Sequence, residues 1–127
     1  MMARVLRAAV LLLGLFAFPG GIAMAEEVRV VDGEGLRVGS DVIRLWGIDA
    51  PERDQTCMVD DAVQPCGEDA TFLLGALVMQ GNLTCETKDT DRYGRTVARC
   101  FAGGRDLAGE MVRHGYALDC PRYSDGF

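Results

Sequence analysis

Apolar and polar positions alternate in short runs along most of the chain, and the period of the pattern changes twice. Residues 27–32 alternate around Val28 and Val30 and read as a strand, and Asp32-Gly33 is a turn signal. Residues 36–38 begin a second strand, Gly39-Ser40-Asp41 turns, and residues 42–46 make a third. Asp49-Ala50-Pro51-Glu52 leaves the sheet, because Pro51 cannot continue an internal strand. Residues 53–66 read as a polar loop. Over residues 68–80 the spacing turns helical, with Ala70, Leu73, Leu74, Leu77 and Val78 on one side, an acidic first turn at Glu68 and Asp69, and Gly81 as the stop. Residues 83–87 and 96–101 read as two more strands around a turn at 91–95. Asp106 is a good N-cap for a short helix over residues 107–114, closed by Gly115, with Met111 and Val112 on its core side. Trp46 is expected in the core or the wall of the sheet.

The element order is therefore β-β-β-α-β-β-α. Five strands interrupted by a helix fit a mainly β, α+β fold: a small closed Greek-key barrel of the OB type with two helices. No internal repeat, low-complexity run or interdomain linker is visible.

The start of the chain changes how much of it should fold. Residues 1–25 read as a secretory signal peptide. Arg4 and Arg7 give the basic start, residues 8–18 are an unbroken apolar run, Pro19-Gly20-Gly21 breaks it, and Ala23-Met24-Ala25 is a small-x-small cleavage site. The run is too short to span a bilayer comfortably, so no stable membrane association is expected after cleavage. Removing 25 of the 127 residues leaves 102, residues 26–127, enough for one domain with a modest core. Arg4 and Arg7 leave with the signal. Eleven basic residues then face 19 acidic ones, a net charge of −8, and Lys88 is the sole lysine. So acidic a surface argues against strong nonspecific affinity for nucleic acid. It leaves room for an enzyme whose cations are concentrated in one cleft beside a metal.

All five cysteines, Cys57, Cys66, Cys85, Cys100 and Cys120, lie in the exported part, where disulfides are the default. Cys57 with Cys66 would close the polar loop, and Cys85 and Cys100 flank a hairpin-like segment and would face each other across it. Cys120 is left over, either free or paired in a way the spacing does not reveal. No C-x-x-C pair occurs, and the lone His114 reads as an exposed helix residue.

The chemistry gathers at the edges of the apolar runs, where Asp32, Glu34, Arg44, Asp49 and Glu52 stand, and in Asp91-Arg92-Tyr93-Gly94-Arg95. Carboxylates able to hold a hard cation, beside arginines able to clamp a phosphate, point to metal-assisted phosphodiester chemistry. Each piece alone reads more simply. Asp32-Gly33 is a hairpin turn, Asp49 and Glu52 are solvated loop charges, and 91–95 is a polar turn with a surface ion pair. Their joint occurrence in one order reverses that.

These motifs, V-V-D-G-E, I-R-L-W-G-I-D-A-P-E, D-R-Y-G-R-T and D-L-A-G-E-M-V-R-H-G-Y-A, closely resemble those of the staphylococcal thermonuclease family, in that family's order and across nearly all of residues 28–123. The resemblance implies an OB-fold, calcium as cofactor and DNA and RNA as substrates. It also implies attack by a metal-organised water that leaves 3′-phosphate ends. Carried over, Glu34, Asp49 and the Ala50 carbonyl match the calcium ligands, and Glu52 matches the residue that orients or deprotonates the water. Arg44 and Arg95 match the phosphate-gripping arginines, Arg92 and Tyr93 a contact to a neighbouring phosphate, and Tyr123 an aromatic near the base. Calcium takes several oxygen ligands and keeps waters, and planar guanidiniums match the oxygens of a phosphorane-like transition state.

Two departures set further expectations. The family usually reads Asp-Gly-Asp-Thr where this chain reads Asp32-Gly33-Glu34-Gly35. The added methylene of Glu34 is expected to crowd the cation or the water and so reduce activity, and Gly35 removes a side chain that would brace this edge. The family also continues past Tyr123-Ser124-Asp125-Gly126 into another helix, whereas this sequence stops at Phe127, so the expectation is either that the third helix is absent or that the sequence is incomplete at its C-terminal end. The expectation is an exported, periplasmic or extracellular, monomeric calcium-dependent endonuclease. A catalytically weakened, nuclease-like OB-fold module that binds nucleic acid or a protein partner is the alternative. A purely structural barrel would leave the placing of Arg44, Asp49, Glu52 and Arg95 unexplained.

Overall fold

The computed structural model describes residues 26–124, 126 and 127. The expected signal peptide at residues 1–25 lies outside the described residues. Strands β1 (Val28–Asp32), β2 (Gly35–Val38) and β3 (Asp41–Leu45) form the expected meander. They are antiparallel neighbours, with Val30 opposite Leu36 and Leu36 opposite Ile43. After a two-residue strand, β4 (Ile48–Asp49), the chain leaves the sheet and makes a small hairpin, β5 (Cys57–Val59) and β6 (Ala62–Gln64), before helix α1 (Cys66–Val78). Strands β7 (Leu83–Thr90) and β8 (Thr96–Ala102) follow, then β9 (Arg105–Asp106), α2 (Leu107–Arg113) and β10 (Leu118–Asp119).

The main sheet runs β1-β2-β3-β8-β7, with β9 on β8. The chain departs after β3, builds α1, and returns so that β8 lies parallel to β3. That return is the Greek-key step of an OB-type fold. Inner positions of the strands are apolar: Leu36, Ile43, Leu45, Ala98, Cys100 and Ala102 are buried. Against them α1 sets Ala70, Leu74 and Leu77, and α2 sets Leu107, Ala108 and Met111. Small residues along β8 let the helices approach closely. Outer strand β7 is exposed along most of its length and carries the Lys88–Glu86 pair. Charge of this kind blunts a sheet edge.

Two local results differ from the pattern reading. The 53–66 segment is not an irregular loop, because Asp60 and Asp61 both take positive φ (50° and 62°) and turn β5 back on β6. Two successive positive φ values make a primed hairpin turn, whose twist suits the flanking strands. Helix α1 also starts earlier than its apolar spacing implies, at Cys66. Gly67 permits this start, since a Cβ there would lie 1.8 Å from the Glu52 carbonyl oxygen. The Gly67 N–H donates instead to the Gln55 carbonyl at 2.9 Å. Both expected disulfides are present, Cys57–Cys66 and Cys85–Cys100, the latter between directly opposed residues of β7 and β8. Cys120 is free. Asp106 caps α2 by accepting the Gly109 N–H. Trp46 is half-buried, with the Lys88 ammonium 5.2 Å from its ring centre.

Candidate functional site

The parallel pairing of β3 and β8 assembles the site. Ile43 lies opposite Thr96, so Arg44 and Arg95 become neighbours although 51 positions separate them in sequence. Strand β4 continues from β3 and pairs with β10, Asp49 opposite Leu118. The Cys120 N–H donates to the Gly47 carbonyl at 2.8 Å, and the Tyr123 N–H to the Cys120 carbonyl at 2.8 Å. Those bonds bring Tyr123 to the same cleft. The result is a depression of about 500 Å³ whose lining includes Arg44, Asp49, Arg92, Tyr93, Arg95 and Tyr123. Six of the nine sequence-predicted site residues thus meet in one place.

The remaining three stand around it. Glu34, in the β1–β2 turn, is 3% exposed, and its carboxylate pairs with Arg44 Nη2 at 2.9 Å. Ala50 follows Asp49 and is buried. Glu52 is exposed at the start of the loop that follows and lines neither this cleft nor the cavity beside it. Its backbone N–H donates to Gln55 Oε1 at 3.3 Å, and the loop is tied to β1 through Arg53 Nη2, which donates to the Val30 carbonyl at 3.2 Å.

The inward aim of Glu34 has a steric origin. A Cβ on Gly33 would lie 2.8 Å from the Ala70 methyl and 2.9 Å from that of Ala50, so only glycine lets the turn settle this deep. Asp32 Oδ1 accepts the Glu34 N–H at 3.0 Å and fills the space that a side chain on Gly35 would need, 2.9 Å from its Cβ. The turn is thus braced by Asp32 in place of a residue at position 35. Burial pushes the Glu34 carboxyl up to about 7. Arg44 and the backbone N–H of Ala50 oppose the rise, and the like charges of Asp32 and Asp49 add to it. Glu34 Oε2 is buried with no hydrogen-bond partner. A buried acceptor in this condition points to a missing ion or water.

The second arginine is held differently. Asp91 Oδ1 accepts the N–H groups of Tyr93 and Arg95, each at 2.9 Å, and Asp91 Oδ2 accepts Arg95 Nε–H at 2.6 Å. Burial works to raise the Asp91 carboxyl, but the bonds from Arg95 and Tyr93 outweigh it and hold it below its usual value. The guanidiniums of Arg92 and Arg95 lie 4.9 and 5.4 Å from the Tyr93 ring centre. Asp91 is a positioning residue that sequence reasoning passed over as part of a turn. Its signal was present, since an Asp two and four residues before the N–H groups it accepts is an Asx-type bracket. Cys120 also lines the cleft. Burial, then Asp49 and Asp119, push its thiol up.

Among the described residues no three His, Cys, Asp or Glu side chains converge as a ready metal cage. The carboxylates that line the cleft are Asp49, Asp89 and Asp91, with Glu34 buried beside Arg44. That set suits a hard cation that keeps part of its water shell.

Residues 42–126 match the family model described as Staphylococcal nuclease homologue, and the chain belongs to that family. The succinoglycan biosynthesis protein ExoI of Rhizobium meliloti (strain 1021) is 33% identical over 96 residues, 73% of this chain and 50% of that protein. The probable endonuclease LCL3 of Clavispora lusitaniae (strain ATCC 42720) is 35% identical over 110 residues, 81% of this chain and 46% of its own. Endonuclease YncB of Bacillus subtilis (strain 168) is 32% identical over 96 residues, 70% of this chain and 44% of its own. The chain spans about half the length of the curated relatives it matches.

Proposed function

We propose that this protein is an exported, calcium-dependent nuclease that hydrolyses phosphodiester bonds of DNA and RNA as a monomer. The observation that carries the reading is the convergence of Arg44, Arg92 and Arg95 on the Asp49 cleft, beside a buried carboxylate with an orphaned oxygen. The family relationship and two relatives named as endonucleases support it.

Glu34, Asp49 and the Ala50 carbonyl are the proposed calcium ligands, and the unpartnered Glu34 Oε2 is the donor that fits a cation best. When bound, calcium supplies positive charge beside the phosphate and an ordered water. Arg44 and Arg95 grip the non-bridging phosphate oxygens and offset charge as it develops on them. Glu52, which does not line the cleft as it stands, is the acceptor that the family resemblance assigns for a proton of the attacking water. The water oxygen bonds to phosphorus, the bond from phosphorus to the 5′ oxygen breaks, that oxygen takes a proton from solvent water to leave as a 5′-hydroxyl, and a 3′-phosphate remains. Arg92 and Tyr93 hold a neighbouring phosphate, and Tyr123 stands beside a base. One observation favours the second reading, a catalytically weakened module that binds nucleic acid or a protein partner. Arg44 is already engaged by Glu34 at 2.9 Å.

Hydrolysis of single-stranded DNA, with calcium and with a chelator, tests the proposal. Activity should vanish in chelator, and Arg95→Ala should lower turnover about a hundredfold. Full activity without calcium, or an Arg95→Ala protein at native rate, sinks this mechanism. A folded protein that is silent in both its native and Glu34→Asp forms selects the binding module.

A further inference from the structure

On the far side of Asp49 a second cavity opens, about 600 Å³ in volume. Its walls are apolar: Val59, Tyr116 and Leu118, with the 57–66 disulfide behind them. Gln55 and Gln64 supply the amides. Among the described residues no lysine or arginine lines it, and its charged lining is Asp49 and Asp69. The first cleft differs in carrying cations, with Arg44, Arg92 and Arg95 set among Asp49, Asp89 and Asp91. Asp49 lines both, so the two hollows adjoin there.

Val59 is 53% exposed and Leu118 71% exposed, so these walls are apolar surface left open to solvent. Apolar surface around a concave site with a few polar groups is the signature of ligand recognition. A phosphate meets two carboxylates in this cavity and no cationic side chain. A flat, neutral ring with donors and acceptors on its edge is matched by the face of Tyr116 and by glutamine amides, each both donor and acceptor. A nucleic-acid strand alternates charged and neutral groups. Because the two hollows share Asp49, a strand with its phosphate among the arginines has the second hollow next to it for a neighbouring base.

We propose that this cavity is a nucleobase subsite for the nucleotide that lies beyond the scissile phosphate. The inference rests on the nuclease reading above. It extends that reading from one nucleotide to two, with the β5–β6 hairpin and the Tyr116–Leu118 segment as the walls of the second position. Recognition there is by stacking and amide contacts, so it asks for an unpaired base.

The test compares a dinucleotide with its two abasic forms, in each of which one base is absent and the sugar-phosphate is kept. One of the two abasic forms should lose about tenfold in kcat/KM with the native protein, the effect of one base stacked on an aromatic ring. Tyr116→Ala and, independently, Val59→Asp should bring that ratio close to one. Both positions lie outside the buried core, and a thermal melt of each variant establishes that it is folded. An unchanged ratio in either folded variant overturns the subsite and leaves the apolar walls to a protein contact. If the native protein hydrolyses none of the three substrates, the nuclease reading fails and the subsite falls with it.

Discussion

Glu34–Arg44 and Asp91–Arg95 both deliver an arginine to one cleft, the first from a buried turn and the second from an open one. Asp91 uses both oxygens and accepts three hydrogen bonds, and its carboxyl lies below its usual value. Glu34 uses one oxygen, leaves the other orphaned, and is pushed up to about 7 by burial. The Asp91 pair is complete as it stands and works as a bracket that fixes the aim of Arg95. The Glu34 pair is incomplete, because a single guanidinium does not balance the Glu34 carboxylate with Asp32 and Asp49 pressing on it. A carboxylate beside an arginine is therefore fully bonded in one turn and left with an unpartnered oxygen in the other.

Breaking the incomplete pair should have the largest effect. Arg44→Gln is expected to lower turnover on single-stranded DNA about a hundredfold or more, through loss of a phosphate clamp. It also strips Glu34 of its counter-charge, so the melting temperature should fall above neutral pH. A variant that keeps the native rate would show that Arg44 serves only Glu34. Glu34→Asp shortens the crowded carboxylate and should raise turnover about tenfold at saturating calcium, on the sensitivity of reacting groups to small misplacements. An unchanged or lower rate removes the crowding argument.

Asp91→Asn tests the finished pair and should cost less. It weakens the bracket but leaves Arg95 in place, and a fall of about fivefold in kcat is expected. In an Arg95→Ala background the same change should do little, because the two act as a unit. An equal fall in both backgrounds would give Asp91 a role independent of Arg95.

The smallest effect is on stability in chelator. Glu34 is raised from its usual 4.5 to about 7, so the folded state binds this proton more tightly than the unfolded chain. Its contribution is fully present below about pH 4.5 and is lost as pH rises through about 7. Asp91 and Glu110 are lowered and tilt the other way, their contributions being lost as pH falls. The difference between native and Glu34→Gln melting temperatures from pH 4.5 to 7.5 isolates Glu34. A difference that does not change with pH would remove the burial effect.

Strand alternation, the helical spacing of Ala70 to Val78, the Asp106 cap and both disulfides could all be read along the chain, because each depends on residues near in sequence or on a simple register. The β5–β6 hairpin was not, since Asp60-Asp61 lacks the Asn-Gly or Asp-Gly signature of a primed turn while adopting its backbone. The short apolar runs Cys57-Met58-Val59 and Ala62-Val63 on either side were the available signal. The meeting of Arg44 with Arg95 depends on a parallel register between distant strands, for which no local pattern exists. Glu34 stands between two glycines and reads as an exposed turn residue. Its burial follows from Ala70 and Ala50 closing over Gly33.

The Cys57–Cys66 bridge joins residues nine apart and ties the hairpin to the start of α1. A loop of that size takes about 3 kcal/mol of conformational freedom out of the unfolded chain. Because the hairpin walls a cavity and contributes little to the core, much of that ordering is spent on the shape of a binding surface. A strand arriving there meets a wall that is already rigid, and association does not have to freeze it. Oxidation of two sulfurs thus settles in advance an entropy cost that a reduced chain would incur again at each encounter.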